Sequence, residues 1–180
     1  MKRSICLFLL VNVISVSLFS CRRGTVAPVR DDLSADALME AVVGSISTAA
    51  SADDGYVSVS EGYINASMWG EDYERLSEAL SDYAICISGH SDMNIDELGV
   101  LHVRDSYDPV EIADIARDYL QSQCLRYRSL LEAYNPAELP KAEGGEVLIC
   151  GRYVLYTLLD STATSQAQVS FKHALTDGAA

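Results

Sequence analysis

Asp108–Asn135 reads DPVEIADIARDYLQSQCLRYRSLLEAYN and holds the longest helical pattern in the chain. Asp108 is a natural N-cap, because its carboxylate can accept backbone N–H groups that the first turn leaves open. Pro109 follows at the first helical position, where its missing N–H costs nothing. Glu111 places an acid in the first turn, where the helix dipole favours one. Ala113, Ala116, Leu120, Cys124, Tyr127, Leu131 and Tyr134 recur at spacings of three and four and so share one face. Ile112, Ile115, Tyr119 and Leu130 widen it, while Arg117, Asp118, Gln121, Ser122, Arg126, Arg128 and Glu132 fall mostly on the other side. Pro136 stops the pattern, since the residue before a proline avoids helical angles. A helix from 109 to about 134 would be roughly 39 Å long at 1.5 Å per residue. An amphipathic rod of that length needs a broad apolar partner, most simply the face of a sheet.

Strand patterns flank the helix on both sides. YAICIS at 83–88 and LGVLHV at 98–103 are joined by a polar segment, 89–97. EVLIC at 146–150 and YVLYTLL at 153–159 are joined by Gly151-Arg152, which fits a tight hairpin turn. The order strand, strand, helix, strand, strand predicts an α+β fold. Its β-β-α-β-β core is a four-stranded antiparallel sheet with the long helix across one face. Additional helices are predicted at both ends. Leu38, Met39, Ala41, Val42 and Ile46 mark the first, capped by Asp32 or Ser34. Ala167, Val169, Phe171, Ala174 and Leu175 mark the closing one, capped near Ser161 or Thr162. Between them, 45–55 reads as a loop and Tyr56–Ser60 as a short, weakly alternating strand. Ser60–Trp69 reads as a short helix closed by Gly70, and 71–80 as a helical or turn-rich approach.

Residues 1–20 do not belong to this domain. Lys2 and Arg3 precede an apolar run from Ile5 to Phe19, shorter than the ~20 residues a spanning helix wants. The run ends in Leu18-Phe19-Ser20-Cys21. A leucine at −3, a small residue at −1 and a cysteine at +1 resemble the lipobox of bacterial lipoproteins. A plain secretory signal and an uncleaved anchor helix are the competing readings, and neither explains why the run stops at a cysteine. The expected organisation is a signal peptide at 1–20, a lipidated tether at 21–31 and a single domain at 32–180. A diacylglyceryl (and palmitate-type) modification of Cys21 would hold the chain on the outer face of the cell membrane, since each buried CH₂ contributes ~0.8 kcal/mol. Cleavage removes Lys2 and Arg3 and no acid, leaving 11 Lys+Arg against 26 Asp+Glu, a formal charge of −15. Such a surface repels nucleic acid and anionic lipid headgroups.

One local pattern resembles a known family. Tyr134-Asn135-Pro136-Ala137-Glu138-Leu139-Pro140-Lys141, then a strand, then Gly151-Arg152-Tyr153-Val154, resembles DUF4358, an uncharacterised lipoprotein family of Firmicutes. Its long helix ends in Y-x-P-x-x-x-P-K before a hairpin with G-x-Y-V. Tyr83-Ala84-Ile85 and Asp96-Glu97-Leu98-Gly99-Val100 resemble its first strand pair, and the likeness spans about residues 32–177. Ala142-Glu143-Gly144-Gly145 stands where many members carry an asparagine soon after the lysine. The resemblance implies an envelope location and this fold, and brings no activity with it.

No catalytic set assembles from spacing alone. Cys6 leaves with the signal and Cys21 is the lipidation site, so Cys86, Cys124 and Cys150 remain, read as reduced, buried small hydrophobes. Whether Cys86 and Cys150 lie side by side is open. His90, His102 and His173 are singletons with no metal spacing, read as surface or loop residues. Asp92, Asn94, Asp96 and Glu97 lack the central glycine and the twelfth-position acid of a calcium loop and read as a solvated turn. Tyr134, Pro136, Pro140 and Lys141 form the most distinctive local group. Its structural reading is a packed tyrosine, prolines that fix the exit path and a lysine against the helix dipole. The expectation is therefore a lipid-anchored, extracytoplasmic binding or interaction domain without cofactor or metal, partnered by the membrane through Cys21 and by an envelope protein. An envelope hydrolase with a site assembled from sequence-distant residues is the alternative.

Overall fold

The structure, a computed structural model, describes residues 28–46, 55–59, 62–89 and 94–176. The expected signal peptide, Cys21 and the tether as far as residue 27 lie outside the described residues, as do His90 and Asp92.

The strands are β1 (Tyr56–Ser58), β2 (Leu80–Ser88), β3 (Glu97–Val103), β4 (Glu146–Cys150) and β5 (Tyr153–Leu158). All pair antiparallel in one five-stranded sheet of order β1-β2-β3-β5-β4. The expected α+β class and the four strands around the long helix are present, and the weak strand at Tyr56 joins as a fifth. Gly151 turns the β4–β5 hairpin at φ 59°, a left-handed conformation that glycine adopts without a Cβ penalty. Arg152 beside it donates to the carbonyls of Val103 at 2.8 Å, Tyr107 at 2.8 Å and Arg104, tying the hairpin to the segment that starts the long helix.

The helices are α1 (Ala35–Ile46), α2 (Ala66–Trp69), α3 (Tyr73–Ala79), α4 (Pro109–Tyr134), α5 (Leu139–Glu143) and α6 (Ser161–Thr176). They cover both faces of the sheet. On one face α1 and α6 bury Leu38, Val42, Phe171 and Leu175 against Ala84, Val100 and Leu155. On the other, α3 and α4 bury Leu76, Ile112, Ala116 and Leu120 against Ile85, Leu101 and Val154. Burying each such Leu, Ile, Val or Phe side chain contributes about 1.5–3 kcal/mol relative to exposure. Two-sided burial explains why β5 is apolar at successive residues rather than alternating, all six of them being buried. The caps follow the sequence with one change. Asp108 caps α4 through Val110 N at 2.9 Å and Ser34 accepts from Ala37 N at 3.2 Å. The closing helix is capped by Asp160 instead of Ser161 or Thr162, its Oδ1 taking two backbone N–H groups. Asn65 caps α2 in the same way, through Ser67 N and Met68 N, so the expected short helix starts at Ala66.

The apolar stripe of α4 departs from the expectation at its far end. Its buried residues are Ile112, Ala113, Ala116, Tyr119, Leu120, Gln123 and Leu131, whereas Tyr134 is 74% exposed and Leu130 43%. The reason is length: α4 is roughly 39 Å long and a seven-residue strand about 23 Å, so the helix overhangs the sheet. The overhang, the Pro136–Glu138 turn and α5 crowd together beyond the start of β3.

The two ends of the sheet differ in what they carry. At the hairpin end, the Arg30 amide donates to Leu175 O at 2.9 Å and the Tyr153 hydroxyl to Leu33 O at 2.7 Å. Asp31 lies 2.9 Å from His102 Nε2, and His102 stacks on Tyr153 with ring centroids 4.1 Å apart. His102 is thus a strand residue, partly buried, and not a surface singleton. The described end of the tether therefore enters beside Gly151. The opposite end gathers the start of β3, the ends of β2 and β5 and the overhang of α4.

Candidate functional site

Glu97 opens β3 at that opposite end and is 6% exposed. A carboxylate leaves water at a cost of several kcal/mol unless its lone pairs are met. Three tyrosines from distant parts of the chain meet them. Tyr119 of α4 donates to Oε1 at 2.7 Å and Tyr156 of β5 to the same oxygen at 2.8 Å. Tyr63, between β1 and α2, donates to Oε2 at 3.0 Å.

Backbone geometry brings them there. Gly99 is two residues beyond Glu97, on the same face of β3, and pairs directly with Tyr156 across the ladder. A Cβ at Gly99 would lie 2.5 Å from Tyr156 Cζ and 2.8 Å from its hydroxyl, and nearer still to Cε1. Only glycine lets that ring cross the strand to reach Glu97. Trp69 then locks the cluster: it stacks on Tyr119 with centroids 3.9 Å apart and meets Tyr156 edge-on at 5.8 Å, while the two tyrosine rings cross at 5.7 Å. Burial pushes the Glu97 carboxyl up from its ordinary value, and the tyrosine hydroxyls pull it back without cancelling the shift. The tyrosine hydroxyls are pushed up by burial and by the facing carboxylate, so they stay protonated as donors. Among the described residues, none of the groups bonded to Glu97 is basic.

Asp96, one residue earlier, heads a second network. Lys141 Nζ lies 2.7 Å from Asp96 Oδ1 and 2.9 Å from Glu138 Oε2, with all three side chains 12–16% exposed. The Tyr56 hydroxyl donates to Asp96 Oδ2 at 3.2 Å. Burial draws the lysine ammonium down, but its bonds to Asp96 and Glu138 outweigh this and hold its pKa above the ordinary value. Lys141 therefore ties α5 and the Pro136–Glu138 turn to the sheet, and is not free to answer the α4 dipole. The Asp96–Glu97 segment is correspondingly not a solvated turn, because one carboxylate is sealed by tyrosines and the other is held by lysine.

Between these networks and the overhang of α4 lies a cavity of about 280 Å³, with Tyr63, Ile95, Glu97, Tyr127, Leu130 and Leu131 among its lining residues. Exposed Tyr134 stands one turn beyond Leu130 on the same helix. The site thus combines an apolar and aromatic wall with the polar residues Ser88, Asn94 and Asp96 and the buried carboxylate of Glu97.

The remaining sequence candidates lie elsewhere. Cys86, Cys124 and Cys150 are free, and Cys86 is buried; Cys124 and Cys150 are only half-buried, against expectation, Cys150 because it closes the edge strand β4. β3 and β5 separate the strands of Cys86 and Cys150, so these thiols are not neighbours. Among the described residues no group of three His, Cys, Asp or Glu is placed to hold a metal. Spacing gave no clue to Glu97: its partners lie 22 to 59 residues away. The one local signal was Glu97-x-Gly99 on a single strand face, an acid beside a missing side chain.

Comparison with known protein families, with curated proteins and with solved structures finds no match to this chain.

Proposed function

We propose that this chain is a lipoprotein of the DUF4358 type, anchored through Cys21 on the extracytoplasmic face of the cell membrane, whose domain binds a basic envelope protein without catalysis. The observation that carries the reading is the opposition of tether and cavity. Residues 30–33 bond at the hairpin end, through Leu175, His102 and Tyr153. Glu97 lies at the other end of β3, five residues from His102 and so about 17 Å along the strand. An anchored domain held by one end presents the other to the envelope, and that end carries the cavity, Leu130 and Tyr134. A formal charge of −15 on the processed chain favours a positively charged partner. Binding suits this site better than hydrolysis, because three tyrosine hydroxyls already bond the Glu97 carboxylate, Tyr119 and Tyr156 at Oε1 and Tyr63 at Oε2.

Pulldown from solubilised membranes with the lipid-anchored full chain as bait tests this. The expected result is a specific basic partner that Leu130→Ser and Tyr134→Ser both lose while the protein folds normally. Equal capture by the wild type and both variants would refute it.

A further inference from the structure

Glu97 has three neutral hydrogen-bond donors and no basic partner among the described residues, and it lines a cavity open at the tether-distal end. Neutral donors satisfy its lone pairs but leave its charge unbalanced in a poorly hydrated place, where a nearby cation interacts more strongly than in water. The cavity, about 280 Å³, is at the small end for ligand sites. Its walls offer aliphatic surface from Ile95, Leu130 and Leu131 and the tyrosines Tyr63 and Tyr127. We infer that the cavity takes a protonated alkylamine on a short apolar stem, of the class a lysine side chain presents, with Tyr63 and Glu97 as its recognition pair. This rests on the binding reading above and names the chemistry of its ligand.

The atoms allow it. The Tyr63 hydroxyl donates to Glu97 Oε2 at 3.0 Å, and its oxygen, which also meets the Tyr119 hydroxyl, has a second lone pair. An ammonium can donate to that oxygen, giving the chain N⁺–H to Tyr63 to Glu97, in which each bond polarises the next. The methylenes then lie against the aliphatic wall, and a tyrosine face adds a cation–π contribution. Lys141 does not compete for Glu97, because Asp96 and Glu138 already hold it. An anion would meet Glu97 and Asp96 and is disfavoured.

The groups facing Glu97 are Tyr63, Tyr119 of α4 and Tyr156 of β5, with Asp96 adjacent and itself bonded to Tyr56 and Lys141. A cation favours ionised Glu97, so affinity should rise with pH through the titration of that carboxyl while the amine stays protonated.

The test is calorimetry or NMR titration of the full chain in mild detergent, with n-butylammonium as probe and 1-butanol and butyrate as neutral and anionic matches. Saturable binding of butylammonium, at least about tenfold tighter than butanol and tightening as pH rises while the amine stays protonated, is expected. Glu97→Gln keeps the volume and should lower the affinity about tenfold, and Tyr63→Phe should do the same if the hydroxyl relays the charge. Equal binding of butanol and butylammonium, or no binding of either by folded wild type, overturns the inference. So does a folded Glu97→Gln that binds as wild type does. The wild-type comparison needs no variant to fold. A specific protein partner captured by the bait but not displaced by butylammonium would leave the binding reading standing and remove the amine.

Discussion

Replacing Gly99 with alanine should unfold much of the stability built around Glu97. The new methyl would sit 2.5 Å from Tyr156 Cζ and 2.8 Å from its hydroxyl, so the ring must move. It has nowhere to go: Tyr156 is fully buried, edge-on to Trp69 at 5.8 Å and to Tyr119 at 5.7 Å. Overpacking a close-packed site costs about 1–3 kcal/mol. Displacing the ring also breaks its 2.8 Å bond to the carboxylate, and a hydrogen bond to a charged group contributes about 1.5–3 kcal/mol. The sum is roughly 2.5–6 kcal/mol, which in a domain of this size lowers Tm by roughly 5–24 °C. Thermal unfolding followed by circular dichroism measures it. A second variant separates the clash from general strand effects. Tyr156→Leu removes both the ring and its bond to Glu97, so Gly99→Ala added to it should cost only a small part of what it costs in wild type. A Gly99→Ala protein melting within about 2 °C of wild type would refute the argument, as would strict additivity in the double variant.

Other consequences are equally direct. Glu97 has a raised pKa in the folded state, so the folded protein binds more protons than the unfolded chain between the ordinary glutamate range and the raised value. Stability attributable to Glu97 is therefore present at low pH and lost as pH rises through that interval, and Glu97→Gln should flatten this part of the curve of unfolding free energy against pH. Lys141→Ala leaves Asp96 and Glu138 facing each other without a cation, and should lower Tm more than Arg117→Ala, whose exposed partner Asp114 needs none. Leu120→Asp places a charge at a position 5% exposed against the sheet and should abolish the cooperative melt. Alkylation of the native protein should modify Cys124 and Cys150 before Cys86, and denaturant without reductant should expose all three thiols; fewer would reveal a disulfide. Cys21→Ala should leave the membrane fraction on detergent phase partitioning, whereas unchanged partitioning would favour an anchor helix that is never cleaved.

The long helix, the hairpin at Gly151 and both terminal helices were legible because each is written in local chemistry: a cap, a proline or glycine at a boundary, and a period of two or 3.6. Tyr56–Ser58 was legible only faintly, since three residues at a sheet edge bury little and carry almost no alternation. The far end of α4 was misread for a reason that periodicity cannot reveal. A stripe records which residues face one way, not how far the partner surface extends, and Tyr134 runs past the end of the sheet. The tyrosine seal on Glu97 was invisible because Tyr63, Tyr119 and Tyr156 come from three separate elements. What brings them together is strand register, above all the pairing of Gly99 with Tyr156. Of the two acids that hold Lys141, Glu138 stands three residues away within reach of a local reading, whereas Asp96 lies 45 residues upstream and was not legible.

The central claim is that the end of the domain away from the tether is its working surface. Photo-crosslinking in intact cells tests it most directly, with a photoreactive residue placed at Val110 or at Tyr134. Both positions are more than half exposed and they stand on one helix, about 36 Å apart. Strong adducts to one discrete protein from Tyr134, with none to that protein from Val110, is the predicted result. The same adduct from Val110 alone, or from both positions equally, would contradict it.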